Sequence, residues 1–474
     1  MIASKYEVDL EVFRRYAGLS LPRHVSYPMP TGWQDLDSPH AMRMWADSNA
    51  RYPTPGLSLY VHIPFCQSLC RYCACTRVVL EKGSEEARQL VDEYLLALER
   101  EICRMAETLG KPRTVRHIHW GGGSPTYLSD EQIERIHRKI GEVFNVASDA
   151  EIAMEIDPRT APAPKLRALR ELGFNRVSLG VQDFNADVQE HVRRIQPIEL
   201  VSDTVATCRK LGFDSVNFDL IYGLPFQTVD TVRETIEQTI KLSPDRIAYY
   251  HYAQIPEKIA NQRGLDYTRL PDSETKLAMF LLGADLFTAA GYDFIGLDHF
   301  ARSDELLAKA LREGTIQRNF QGMTTGGGLD LVGIGASSIS QLLGIGFLQN
   351  THDIKDYVSR LEQGKLATVR GKRLTEDDQI RQAVLGSFYC TTELRPRPIE
   401  SEFGIVFTEY FARELEVMRE LERDGLVTLN RDGVIRTTMP LGRVLMRTVA
   451  AVFDAYLDPD AYRVGDQRCF SANA

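Results

Sequence analysis

Residues 58–75 read SLYVHIPFCQSLCRYCAC. The first six are a β-strand, and the loop that leaves it carries Cys66, Cys70 and Cys73 in the spacing CxxxCxxC. Three thiolates on one tight loop can ligate three irons of a [4Fe–4S] cube, which leaves the fourth iron without a cysteine. An open iron can chelate the amino and carboxylate groups of S-adenosylmethionine and pass an electron to its sulfonium. Homolysis then gives a 5′-deoxyadenosyl radical, chemistry that belongs to the cofactor rather than to side chains. Zinc is the rival occupant, although structural zinc more often uses CxxC pairs a long gap apart and no second pair exists here. The remaining cysteines are Cys75, Cys103, Cys208, Cys390 and Cys469. Cys103 and Cys208 fall inside helix-like patterns and are expected to be small core residues. No secretion signal heads the chain, so a reducing, cytoplasmic setting is expected and disulfides are not.

Outward from this strand the sequence alternates. The amphipathic run 85–108 predicts a helix with Leu90, Tyr94, Leu98 and Ile102 on one face. Strands are expected at 115–120, 151–156, 176–181, 215–222 and 246–253, with one more strand-like run at 292–300. Helices fall between them, and Ser129 with Gln132 forms a capping box. Six or more βα units predict an α/β fold, a partial (β/α)6 barrel over 56–300, with a doubly wound open sheet as the alternative. Residues 1–55 read as a proline-rich arm with a short helix near 38–50. Residues 301–374 form a glycine-rich connecting and barrel-completing segment. Residues 375–474 read as a mostly helical, winged-helix-like domain with a hairpin turning at Arg431-Asp432-Gly433.

Composition bounds the function. In 474 residues, 56 basic and 65 acidic side chains give a net charge of −9, which argues against a dedicated nucleic-acid binder. The uncharged stretch 331–348 is rich in glycine and serine, a poor membrane helix, and is expected to be a buried strand and loop. No membrane insertion is expected.

The longer strings LYVHIPFCxxxCxxCxC, HWGGGSPTYL, EIDPR, GFNRVSLGVQDFN and DLIYGLPFQT resemble the oxygen-independent coproporphyrinogen III oxidases of the radical S-adenosylmethionine superfamily. The resemblance runs from the SYP arm to the tail. It implies Cys66, Cys70 and Cys73 as ligands of one [4Fe–4S] cluster, with Cys75 and Tyr60 on the catalytic side. It also implies one or two molecules of S-adenosylmethionine. Gly122, Gly123 and Ser124 would meet the methionine moiety, and Tyr60 the sulfonium. Glu155 and Gln182 would lie near the cofactor, Arg194 at its carboxylate and Asp219 at its ribose. Ala253 and Ile339, with Phe320 and Gln321, would surround the second molecule. Arg23 and Arg77 are candidates for substrate carboxylates, and His62 for tuning the cluster. The family's GGGTPT and QGYTT strings stand here with Ser124 and Met323.

The expected reaction converts two propionates of coproporphyrinogen III to vinyl groups. Its expected partners are a low-potential electron donor such as flavodoxin or ferredoxin and a further electron acceptor, and the chain is expected to be a monomer. Three readings compete. A haem-binding relative would lack the long arm and Cys75. A radical methylase would release S-adenosylhomocysteine. A zinc-dependent DNA-binding protein would rest on the tail alone.

Overall fold

The computed structural model describes residues 6–51, 53–110, 112–465 and 471–472. The first residues of the segment read for a secretion signal, Tyr52 of the RYPTPG string and Cys469 lie outside them. Six strands, Gly56–Ile63, Thr114–Gly122, Asn145–Ile156, Arg176–Gln182, Ser215–Tyr222 and Arg246–His251, stand side by side in chain order. All neighbours among them are parallel. A doubly wound sheet reverses its strand order at a switch point. These six strands do not, so their helical crossovers, of one hand, stack on one face.

A seventh parallel strand, Leu329–Ile334, pairs with Gly56–Ile63 from the other side. Antiparallel strands Ile339–Leu342, Gly346–Asn350 and Thr368–Arg373 extend that edge, and Gln34–Asp35 of the N-terminal arm closes it. The uncharged stretch 331–348 is thus sheet, and no described helix is long and apolar enough to cross a membrane. At the opposite edge the run 292–300 is not one strand. It is a hairpin, Tyr292–Ile295 against His299–Arg302, that turns where Gly296 takes φ +56°.

The pleat sorts the first strand cleanly. Leu57, Leu59, Val61 and Ile63 are fully buried against Tyr94, Leu98 and Ile102 of the helix Glu85–Leu109. Ser58, Tyr60 and His62 point the other way. The inner face continues as His117 and His119, Ala153 and Glu155, Ser178, Asn217 and Asp219, then Tyr250, around a cavity of about 160 Å³. Part of the inner face is therefore polar, unlike the filled core of a closed barrel. Arg176, Glu151, Arg246 and Glu305 plug the N-terminal end of this lumen with ion pairs. The capping box at Ser129 and Gln132 is present.

Beyond residue 375, the helices Glu376–Thr391, Pro396–Phe403 and Ala412–Arg423 enclose a three-stranded sheet. The hairpin Val427–Leu429 to Ile435–Thr437 turns through Gly433 at φ +76°. Phe388, Phe411 and Phe453 form its core, into which the arm inserts Phe13 and Tyr16 from a helix at Leu10–Ala17. Cys208 is fully buried as expected. Cys103 is only half-buried, so it is not a core residue.

Candidate active site

The cysteine loop is pinned at both ends and in the middle. Phe65–Cys66 pairs in parallel with Val78–Val79, and Val78 N donates to Pro64 O at 2.7 Å. Asn261 Nδ2 lies 3.1, 2.9 and 3.0 Å from the carbonyls of Cys70, Arg71 and Cys73. Its Oδ1 accepts from Arg77 Nη2 at 2.5 Å, while Arg77 Nη1 donates to Cys75 O at 2.7 Å. Gln262 Nε2 holds Tyr72 O at 3.1 Å. Arg77, a candidate for substrate, is therefore committed to the loop. Asn261 and Gln262 carry no signal in the sequence: two amides in a polar loop have no period and no motif.

Gly123 packs the second strand's end onto this loop. Its amide donates to Ile63 O, and a Cβ there would lie 2.7 Å from the Pro64 carbonyl and 2.9 Å from Phe65 O. Only glycine allows so close a backbone approach. Ser124 N donates to Phe65 O at 2.9 Å, and its hydroxyl meets Thr126 Oγ1 at 3.2 Å. Gly122 N donates to Glu155 Oε2 at 3.2 Å.

From there a chain of polar contacts crosses the mouth of the lumen. Tyr60 stacks on His119 with ring centroids 6.0 Å apart, and its hydroxyl lies 3.1 Å from His62 Nδ1. His119 Nε2 lies 3.2 Å from Glu155 Oε1. Burial lowers His62 to about 4, so it is neutral, with Nε2 3.2 Å from Thr76 O. Asp219 accepts from Ser178 Oγ at 3.1 Å and Asn217 Nδ2 at 2.9 Å. Burial, helped by the charge of Glu155, pushes Asp219 up to about 6. His119, Ser178 and Asn217 were missed in the sequence, although their parity with Tyr60 and Asp219 marks them as lumen-facing.

Arg194 is buried beside the cluster loop and is not a surface residue. Its Nε and Nη2 donate to Gly180 O at 3.1 and 2.7 Å, and its Nη1 lies 3.2 Å from Asp157 Oδ2 and 3.6 Å from Cys70 Sγ. Burial opposes ionisation of Asp157, but Arg194 and Arg159 outweigh it and hold the carboxyl low. Gln182 ends the fourth strand at φ +68°, a left-handed position that costs a side chain strain and that clusters at functional sites. Ala253 is exposed on the loop after the sixth strand, its carbonyl accepting from Gln262 at 3.0 Å. Ile339 is buried with Trp33 and Phe347, against which Phe320 packs. Gln321 lines the lumen. Met323 does too, while also joining a small apolar cluster with Ile295, Leu307 and Cys390.

The donor set fits an iron–sulfur cube. Cys66, Cys70 and Cys73 are free thiols on a braced loop. Burial pushes Cys66 up to about 12, whereas a hydrogen bond from Cys75, with Arg77 and Arg194 nearby, brings Cys73 down to about 6. Cationic donors from Arg159 and Arg194 face Cys70 Sγ and would offset thiolate charge. Among the described residues no three His, Cys, Asp or Glu side chains close on a single ion. A cube asks for something else, one thiolate on each of three irons.

The family model of the Radical SAM superfamily matches residues 60–239, from Tyr60 into the helix after the fifth strand. Along nearly its whole length the chain is 43% identical to the oxygen-independent coproporphyrinogen III oxidase of Pseudomonas aeruginosa, covering 95% of this chain and 96% of that one. The chain belongs to the oxygen-independent coproporphyrinogen III oxidase family. The Escherichia coli K12 oxidase is 41% identical over 96% of this chain and 97% of its own. A solved structure of the Escherichia coli coproporphyrinogen III oxidase, described as a radical SAM enzyme, superposes with a TM-score of 0.86. It is 40% identical and the match covers 95% of this chain and 99% of that one. Family membership thus accounts for the fold.

Proposed function

We propose that this chain carries out the oxygen-independent oxidative decarboxylation of two propionate side chains of coproporphyrinogen III to vinyl groups, giving protoporphyrinogen IX. The observation that carries the reading is a braced Cys66–Cys75 loop at the end of a strand whose inner side chains face a polar lumen, in a chain that aligns over 95% of its length with oxidases of that name. Cys66, Cys70 and Cys73 would hold one [4Fe–4S] cluster, which would bind S-adenosylmethionine. When bound, the pair would supply a 5′-deoxyadenosyl radical for hydrogen removal at the carbon β to each carboxylate, with one carbon dioxide released and one electron passed to an external acceptor for each vinyl.

The chain's own residues supply position and shelter. Gly122, Gly123 and Ser124 bring backbone against the methionine end, beside Gln182. Arg194, whose Nε and Nη2 hold Gly180 O, would reach the cofactor carboxylate through Nη1, the nitrogen it shares with Asp157. Asp219, ionised above about pH 6, accepts from the ribose hydroxyls. Tyr60 and Glu155 stand at the lumen side, and Cys75, one residue past the third ligand, stands near the reacting carbon. Ala253 and Ile339 border a second molecule of S-adenosylmethionine. The helices outside and the ion pairs below keep water from the radical. A low-potential flavodoxin- or ferredoxin-like donor would reduce the cluster of a cytoplasmic monomer. Anaerobic turnover with an electron acceptor present tests the reading. Protoporphyrinogen IX with one carbon dioxide per vinyl supports it, and a methylated tetrapyrrole with S-adenosylhomocysteine overturns it.

A further inference from the structure

Past Tyr250, at the mouth of the lumen away from the cysteine loop, stands a group of cations that the cofactor site does not use. The Arg23 guanidinium lies 5.1 Å from the centroid of the Tyr250 ring and pairs with Asp298. Asp298 also holds His299 Nδ1 at 2.7 Å, and His299 and Tyr250 meet edge to face at 5.8 Å. Both rings line the lumen. The second cation, Arg318, comes from the hairpin Gln317–Asn319 to Gly322–Thr324 and lies 5.5 Å over the Tyr389 ring.

This hairpin is a wall between two spaces. Asn319 and Gln321 line the lumen, whereas Arg318 lines a cavity of about 550 Å³ together with His24, Tyr27 and Tyr389. That volume is in the range of small-molecule sites, roughly 300–1,000 Å³. The lumen alone is too small for a tetrapyrrole.

The polar atoms of this wall are unsatisfied. Arg318 Nε and Nη1, Arg23 Nε and Gln321 Nε2 are buried without a hydrogen-bond partner among the described residues. A third cation, Arg447, is buried nearby and donates through Nη1 to Ser471 Oγ at 2.9 Å and to the carbonyls of Ser471 and Ala472. Burial first, then the charges of Arg318 and Arg447, lower Arg23 to about 10. The acids in reach are already engaged, Asp298 by Arg23 and His299, and Asp454 by His24 at 2.9 Å. Buried cations with idle donors are costly unless an anion joins them. A planar guanidinium matches a carboxylate in two parallel hydrogen bonds.

We propose that Arg318, with Arg23 as the second cation, forms a carboxylate-binding site that anchors a propionate of the tetrapyrrole substrate. The proposal rests on the function proposed above for its substrate. It adds what fixes that substrate beside the lumen: a propionate anchored in the larger cavity sets which of the other side chains faces the radical. Arg318 acts here as a positioning residue, because it touches a carboxylate that stays in place while another reacts.

The test uses the full chain with its cluster reconstituted. Arg318→Gln should raise the KM for coproporphyrinogen III roughly ten- to a hundredfold, the worth of a charge-assisted hydrogen bond. Iron content and S-adenosylmethionine affinity should stay at wild-type values, and Arg318→Lys should recover part of the loss. In parallel, fluorescence titration of the wild type should show coproporphyrin III bound more tightly than its tetramethyl ester, and Arg318→Gln should erase that preference. An unchanged KM with an unchanged preference overturns the proposal. So does equal weakening of acid and ester, which would mean that Arg318 merely packs. If the wild type makes no vinyl product, the functional reading fails, and the acid-against-ester comparison still decides the carboxylate site. The same comparison on the wild type decides it if Arg318→Gln does not fold.

Discussion

Glu101 gives a prediction whose size follows from its surroundings. It sits in the helix Glu85–Leu109 and is fully enclosed. Oε2 accepts from Gly335 N and Tyr357 Oη, both at 2.6 Å, and Oε1 accepts from Asn350 Nδ2 at 2.6 Å. It thereby ties the helix behind the cysteine strand to the seventh parallel strand and its extension. Burial pushes this carboxyl from an ordinary 4.5 up to about 7, against the pull of those three donors. The folded chain therefore keeps the proton to about pH 7, while the unfolded chain releases it near 4.5. Folding takes up a proton between these values, so stability falls as pH rises through them and stays low above. At about 1.4 kcal/mol for each tenfold change in proton affinity, the folded state loses about 3 kcal/mol by pH 8. Glu101→Gln removes the ionisation. Its amide can face Gly335 and Tyr357 with oxygen, but turns NH₂ toward Asn350, a pH-independent loss of about 1 kcal/mol. Urea unfolding of wild type and variant from pH 5 to 8 checks this. The variant should gain on the wild type as pH rises, passing it a little above pH 5, since about 0.7 of a pH unit above 4.5 already costs the wild type about 1 kcal/mol. Parallel stability profiles would refute the reasoning.

Three further outcomes follow from the site. Gly123→Ala places a Cβ against the Pro64 carbonyl and Phe65 O, so the cysteine loop must move and reconstituted iron should fall below half of wild type; full iron would contradict this. Cys73→Ala should lose the cluster, whereas Cys75→Ala should keep it and lose most turnover. Mössbauer spectra of the pair decide between this assignment and equal loss. With Asp219 held at about 6, S-adenosylmethionine affinity measured by calorimetry should drop as pH falls from 7.5 to 5.5. Asp219→Asn should be weak and flat over the same range.

The local parts of the fold were legible because their signals are local. Alternation of short strands with amphipathic helices, the Ser129 capping box and the Gly433 turn all lie within a few residues of the features they create. The run 292–300 misled because its apolar residues continue across Gly296, where the chain in fact reverses. The pairing of Leu329–Ile334 with Gly56–Ile63 joins segments far apart in sequence, and no periodicity announces it. The arm helix Leu10–Ala17 is short and finds its apolar partners only in the C-terminal core. At the site, the cysteine spacing spoke for itself. The resemblance pointed to Arg194, and Arg77 was a candidate for substrate carboxylates, but only geometry shows that Arg77 braces the cysteine loop and that Arg194 lies against Cys70. The bracing amides Asn261 and Gln262 were silent for the same reason.

The central claim is that a radical made beside the Cys66–Cys73 loop takes hydrogen from the substrate's propionate. Coproporphyrinogen III deuterated at the carbon β to each carboxylate tests it most directly, incubated anaerobically with reduced, reconstituted enzyme and S-adenosylmethionine. Deuterium should appear in 5′-deoxyadenosine as vinyl product forms. Vinyl product accompanied by unlabelled 5′-deoxyadenosine would contradict the account.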